Sequence, residues 1–167
     1  MYKFKTPSTI DDHKWLVELH NDPLVLHNMT DPKPISLDSH MTWWNSLNKE
    51  KNPRFIFTVK EQNVGFVKVY NIDKDNLNCM LGGDIHKSFR GKGYSYTMWN
   101  MLLEYCFNEL NLYRVSLTTA EYNTIGIKVY KNLGFKCEGV LNESLYRDQT
   151  FYNQLIMFMT KPMFLNL

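Results

Sequence analysis

The stretch Asp84-Ile-His-Lys-Ser-Phe-Arg-Gly-Lys-Gly-Tyr-Ser95 decides how this chain is read. It lies between a strand-like run, Cys79 to His86, and a run of helical period, so Gly91 and Gly93 fall at a strand-to-helix turn. Without a Cβ, each glycine lets the backbone take φ > 0 and come close to a ligand. The amides that open the helix have no intrahelical acceptor, and the helix dipole adds partial positive charge where they point. A phosphate fits such a turn. Arg90 and Lys92 add two cations, one suited to bidentate contact and one acting as a point charge. The competing interpretation is a basic surface turn that caps a helix.

Two well-known phosphate loops do not fit. The Walker pattern needs a glycine where His86 stands and Ser or Thr where Gly93 stands, and the dinucleotide fingerprint needs a third glycine where Tyr96 stands. The pattern that fits is Arg/Gln-x-x-Gly-x-Gly/Ala, with Arg90, Gly93 and the small Ser95 in the marked places. At these residues the chain resembles the GNAT superfamily of N-acetyltransferases, whose loop of this form cradles the pyrophosphate of acetyl-CoA. The resemblance implies acetyl-CoA as cofactor, with Ile85, His86, Arg90, Gly91, Lys92, Gly93, Tyr94 and Ser95 around it.

The 167 residues suit one domain, taken here as 1–167, and are enough to bury a substantial core. Hydrophobic residues make up 44% and charged residues 22%, as in ordinary globular chains. A formal net charge of +2 is too mild for a nucleic-acid partner. No signal segment or membrane-length apolar run is present, so a cytoplasmic setting without membrane association is expected. Self-association as a homodimer is left open. Cys79, Cys106 and Cys137 give neither a disulfide framework nor a metal pair, so no metal is expected, and all three are read as buried thiols.

Along the chain, period and capping predict a strand at 2–6 and a helix from Thr9 to Asn21. A loop or broken helix follows over Leu24 to Pro34. A second helix runs from Leu37 to Leu47 behind Ser36, then strands at 55–60 and 64–70. The helix after Tyr94 carries Met98, Met101, Leu102, Tyr105, Cys106 and Leu110 on one side. A strand at 114–119, a helix from Asn123 to Leu133 closed by Gly134, and a strand pair at 135–146 and 151–160 complete the order. Strand-loop-helix-strand in the middle is a parallel βαβ unit, and the early meander is antiparallel. The fold class is α/β (α+β). The resemblance implies the GNAT fold, a mixed, mostly antiparallel seven-stranded sheet with helices on both faces and a splayed central parallel strand pair.

Asn123-Thr-Ile-Gly-Ile-Lys-Val-Tyr-Lys-Asn-Leu-Gly-Phe135 is a second, independent motif. Asn123 and Tyr130 lie two helical turns apart and project on one side. Alone, this is equally an N-cap asparagine and a core tyrosine. The run resembles the family's Asn-x-x-Ala-x-x-x-Tyr-x-x-x-Gly-Phe element, with Gly126 in place of Ala. The resemblance implies that Asn123 contacts the pantetheine arm and that Tyr130 protonates the departing thiolate. It also implies Ile85 and His86 amides as oxyanion donors. Met80 stands where relatives often keep a glutamate base. Asp84, Glu143 and His40 are the candidates to replace it, Asp84 being nearest the loop, and ordered water is a further path.

The flanks, Asn21-Asp22-Pro23, Ile35 to Trp44, Glu138-Gly139 and Tyr146-Arg147-Asp148, resemble the branch of ribosomal-protein N-terminal, spermidine and nucleotide-linked amino-sugar acetyltransferases. The helix bearing His40, Trp43 and Trp44 looks most like the amino-sugar enzymes of the pseudaminic-acid pathway type, where it borders the acceptor. An aromatic face suits sugar stacking, and no acidic focus suited to a polyamine is present. The expected acceptor is therefore the amine of a nucleotide-linked deoxyamino sugar, attacked directly in a ternary complex. A protein N-terminus or polyamine is the alternative, and a catalytically inactive acyl-CoA-binding module is the alternative of another class, with Met80 as its one hint. At least one of the two tryptophans is expected to pack the helix onto the sheet.

Overall fold

Alternating strands and capped helices produce, in the computed structural model, the order β1 (Tyr2–Lys5), α1 (Ile10–His20), α2 (Pro23–Asn28), α3 (Leu37–Ser46), β2 (Arg54–Val59), β3 (Gln62–Asp73) and β4 (Asn78–Ile85). There follow α4 (Tyr94–Glu104), β5 (Arg114–Ala120), α5 (Thr124–Asn132), β6 (Lys136–Arg147), β7 (Thr150–Thr160) and α6 (Lys161–Leu165). The structure describes residues 1–166. Among them the strands form a seven-stranded sheet in the order β1-β2-β3-β4-β5-β7-β6. β4 and β5 are parallel, with Asn78, Cys79 and Met80 opposite Arg114, Val115 and Ser116. The pairs β1–β2, β2–β3, β5–β7 and β6–β7 are antiparallel. This is the mixed, mostly antiparallel sheet with a parallel pair that the sequence led us to expect.

The chain packs as two compact units, Met1–Tyr70 with Gly82–Met98, and Asn71–Leu81 with the residues from Trp99 onward. In the first, Ile56, Phe57, Val64, Val67, Val69 and Met98 are fully buried, with Leu16, Leu19 and Trp44 close to it. In the second, Leu102, Leu103, Cys106, Phe107, Val115, Leu133, Met157 and Met159 form the core.

Several elements depart from expectation for identifiable reasons. Of the loop or broken helix expected over 24–34, the structure has a short helix at its start, because Asp22 caps α2 by accepting from the Leu24 and Val25 amides, with Pro23 at the first helical position. The buried stripe after Tyr94 includes Trp99, Leu103 and Phe107, which the simple period omitted, while Met101, Tyr105 and Leu110 are only half-buried. A π turn over Tyr105–Glu109 interrupts the 3.6-residue repeat there. The β2–β3 hairpin turns on Lys60 and Glu61, both at positive φ, without the Asn or Gly that signals such a turn. Cys79 and Cys106 are buried thiols, but Cys137 is exposed on β6, the edge of the sheet. Helix α6 was not foreseen.

Asp12 fixes the first strand to the first helix. Its Oδ1 accepts from Lys5 Nζ at 2.6 Å, and its Oδ2 accepts from the Ser8 and Thr9 amides at 3.2 and 3.3 Å. Thr9 Oγ1 accepts from the Asp12 amide in return, closing a capping box. Burial favours the protonated acid, but the Lys5 and backbone hydrogen bonds outweigh it and hold the carboxyl well below its ordinary range. A depressed carboxyl contributes stability above its unfolded pKa and loses it as pH falls. Asp12→Ala should cost about 2–4 kcal/mol at pH 7. Denaturant titrations should show the gap to wild type narrowing below about pH 4; a gap independent of pH would refute the electrostatic origin.

Candidate active site

A cavity of about 410 Å³ opens in the first unit among α1, α2, α3 and strands β2 to β4. Ser36 caps α3 by accepting from the Ser39 amide at 3.1 Å, which sets the helix so that His40 and Trp44, four residues apart, face inward. Trp44 is 5% exposed and packs the helix, whereas Trp43 is 43% exposed, and both line the cavity. One tryptophan of the pair is thus core, as expected. His40 Nε2 lies 3.1 Å from Nδ1 of buried His13, so the two rings share one hydrogen. Burial, with the neighbouring His13 and His20, pushes His40 down to about 4. At neutral pH it is an uncharged wall residue and a weak base.

Asp84, near the end of β4, is the carboxylate among the lining residues. Part of its surface faces the cavity while protein surrounds the rest, and this burial pushes its pKa up. Lys68 opposes the rise most, then Arg90 and His20, while Asp22 adds to it. Among the described residues no direct ion pair closes on Asp84. Gly82 makes room for Lys68, whose Cε lies 2.5 Å from where a Cβ on Gly82 would stand. Arg54 completes the polar lining.

The loop after β4 is held from within. Gly91 and Gly93 take φ of 74° and 80°, and a Cβ on either would meet nothing within 4 Å, so they are required for their backbone and not for space. Arg90 donates from Nε to the Ile85 carbonyl at 3.1 Å and from Nη2 to Asp22 at 2.8 Å, which ties the loop to α2. Lys92 folds back to donate to the Ser88 carbonyl at 2.9 Å. His86 Nδ1 accepts from the Ser88 amide, its ring stacks on Trp15, and its Nε2 lies 3.4 Å from Glu18. The His86 amide donates to the Val64 carbonyl at 3.0 Å. That amide is therefore engaged with β3. Tyr94 meets Phe89 edge-on, and half-buried Ser95 stands in the first turn of α4.

In the second unit, Asn123 caps α5. Its Oδ1 accepts from the Gly126 amide at 3.1 Å and its Nδ2 donates to Thr119 at 3.0 Å. A Cβ on Gly126 would lie 2.4 Å from that Nδ2, so glycine where the family pattern has alanine goes with this folded-in cap. Tyr130 is 9% exposed, its ring edge-on to Trp99 at 4.9 Å. Met80 Sδ accepts from Ser116 Oγ at 3.2 Å, so an uncharged pair stands where the family resemblance implied a glutamate. Glu143 is exposed on β6.

The structure brings Asp84, His40, Trp43 and Trp44 to one cavity, and adds Arg54 and Lys68, which sequence reasoning missed. A signal was present. On β2 the period of two puts Arg54 on the same side as buried Ile56 and Thr58, an unusual place for an unpaired cation.

Residues 5–136 match the family described as acetyltransferase (GNAT) domain. The chain is 27% identical over 145 residues to the SPbeta prophage-derived uncharacterized N-acetyltransferase YokL of Bacillus subtilis, which covers 86% of this chain and 82% of that one. It is 24% identical over 157 residues to a spermidine N(1)-acetyltransferase of Vibrio cholerae, covering 93% and 91% of the two chains. The crystal structure of spermidine N-acetyltransferase from Vibrio cholerae in complex with CoA and spermine superposes with a TM-score of 0.92 at 22% identity, over 99% and 98% of the chains, a likeness of fold. This chain belongs to the GNAT acetyltransferase family and is an acetyl-CoA-dependent N-acetyltransferase.

Proposed function

We propose that the enzyme acetylates the primary amine of a small molecule bound in the cavity beside α3, and that this molecule is a nucleotide-linked deoxyamino sugar. The observation that carries the reading is the lining, in which one carboxylate, Asp84, accompanies two cations, Arg54 and Lys68, within walls that include Trp43, Trp44 and His40. Aromatic faces suit the apolar side of a sugar ring. A polyamine brings further ammonium groups into a pocket that already holds two positive charges, at a Coulombic cost that rises as water is excluded. The likeness to spermidine acetyltransferases favours a polyamine instead, so both belong in one test.

Near pH 7 an alkylamine is mostly protonated and cannot attack a carbonyl. Asp84 receives that proton, and burial raises its affinity for it. When bound, acetyl-CoA supplies the activated acyl carbon. The left-handed Gly91 and Gly93 and the amino end of α4 fit its pyrophosphate, with Arg90 and Lys92 bracing the loop. The phenol of Tyr130 donates its proton to the departing sulfur and regains one from solvent.

Thiol release measured across amino-sugar nucleotides, spermidine and short peptides should show turnover with the sugars; turnover confined to spermidine or peptides would sink this acceptor. Asp84→Asn should lower kcat/KM about 10²–10⁴-fold. Because Asp84 is raised, wild-type activity should fall as pH drops through a value above the ordinary carboxylate range, and this acid limb should be absent from Asp84→Asn. Retention of the limb would assign the base elsewhere. Tyr130→Phe should lower kcat about 10²-fold or more with the affinity for CoA nearly unchanged; an unaltered kcat would remove Tyr130 from the chemistry.

A further inference from the structure

Arg54 opens β2 and stands directly opposite Lys68 of β3 in the antiparallel register. Like charges at opposed positions repel, and burial makes the repulsion worse. Burial lowers the pKa of both groups, and Arg54 adds to the effect on Lys68 while Asp84 works against it. The Arg54 guanidinium lies over the Trp43 ring, its Cζ 5.0 Å from the centroid. Its Nε and Nη1 are buried and have no hydrogen-bond partner among the described residues. Arginine cannot shed its proton to escape this situation. Buried charges are ordinarily paired, and unmet donors in a cavity wall mark where an acceptor atom belongs. Asp84 does not meet the need, since no ion pair between it and Arg54 forms among the described residues.

We infer that Arg54, backed by Lys68, is the receptor for an oxyanion carried by the acceptor, a phosphate or a carboxylate on the same molecule as the amine that Asp84 receives. This rests on the acceptor pocket proposed above and deepens it. The oxyanion supplies the acceptor atoms that Nε and Nη1 lack, and its charge offsets the two opposed cations. The amine meets the one carboxylate. Selection follows from the same bookkeeping, because an amine without an oxyanion leaves the guanidinium unpaired while it displaces water from the cavity. The pocket therefore discriminates against purely cationic amines twice, by repulsion and by an unmet donor.

The subsite can be read without turnover. Inorganic pyrophosphate and acetate are titrated separately into the protein saturated with CoA, so that the loop after β4 is occupied, and tryptophan fluorescence reports on Trp43 beside Arg54. At least one should bind saturably to wild type, and which one does so separates a phosphate source from a carboxylate source. Arg54→Gln should weaken that binding at least about tenfold, and Arg54→Lys should keep part of it. Equal affinity in wild type and Arg54→Gln, or no saturable binding of either probe, overturns the inference.

In turnover, acceptors matched except for the oxyanion should separate. Arg54→Gln should raise KM about 10- to 100-fold for the oxyanion-bearing amine and by a small factor at most for the neutral one. Equal losses on both would overturn the assignment. Pyrophosphate binding through Arg54 with no turnover of amino-sugar nucleotides would discard the acceptor named above and leave the oxyanion subsite standing. Arg54→Met, which removes a buried unpaired charge, should melt no lower than wild type, so that lost binding is not lost folding.

Discussion

One carboxylate oxygen, Oδ1 of Asp22, accepts from the Leu24 amide at 3.1 Å, from the Val25 amide at 3.3 Å and from Arg90 Nη2 at 2.8 Å. Much of the first unit's functional geometry depends on it. Helix α2 has six residues, too few to be stable without a cap and tertiary packing, and it carries Val25 into the cavity wall. Arg90 continues the chain of bonds to the Ile85 carbonyl at the end of β4. The cavity wall and the glycine loop are thus set by one buried anchor. Burial works against the ionised form of Asp22, yet Arg90 and the two amides more than offset it and keep the carboxyl below its usual range. A break at Asp22 would uncap α2 and leave Arg90 without its ion partner at once.

This anchor also shows where sequence reasoning reached its limit. The Arg-Gly-Lys-Gly run was legible as an anion turn because the glycine conformation is dictated locally, and both glycines take the left-handed region. The strands and capped helices were legible for the same reason, since Thr9, Ser36 and Asn123 act within their own elements. What Arg90 does with its side chain was not legible. Its partner is sixty-eight residues away, and no local rule chooses between a phosphate and a carboxylate as the anion for a guanidinium. The same limit applies to the cavity, where Arg54 and Lys68 meet only because β2 and β3 pair in a particular register. That register follows from a hairpin turning on Lys60 and Glu61, residues that do not announce a positive φ, together with an irregularity between Phe57 and Thr58 that shifts the pairing by one residue.

The opposed cations have a thermodynamic consequence for the unit that holds them. Neither Ile56 nor Phe57, both wholly buried on β2, carries any such burden, and the cost falls on the rim of the sheet at Arg54 and Lys68. A strand pair built for stability would place apolar or opposite-charge residues there. Packing of the guanidinium over Trp43 and of the Lys68 ammonium 5.2 Å from the Tyr70 ring offsets part of the cost through the aromatic faces, but leaves the hydrogen-bonding demand of Arg54 unmet. Stored demand of this kind is how a binding site is prepared in advance, since the protein bears the desolvation before the ligand arrives.

The proton that must leave the amine narrows the choice of base in the proposed reaction. Met80 and Ser116 form a neutral pair that cannot take it, although the family resemblance implied a glutamate there. His40 lines the cavity, but with a pKa near 4 it is no stronger a base than an ordinary carboxylate and it already shares a hydrogen with His13. Glu143 is exposed on β6 and is not among the cavity's lining residues. Asp84 is on the strand that leads into the loop, lines the cavity and has no ion partner among the described residues. Its desolvation raises the pKa, which shrinks the uphill gap between carboxyl and ammonium and so favours proton transfer. Lys68 opposes that rise and favours the ionised form, the state a base must be in before the amine arrives. The two opposing influences on one carboxyl are what a base poised for an ammonium requires.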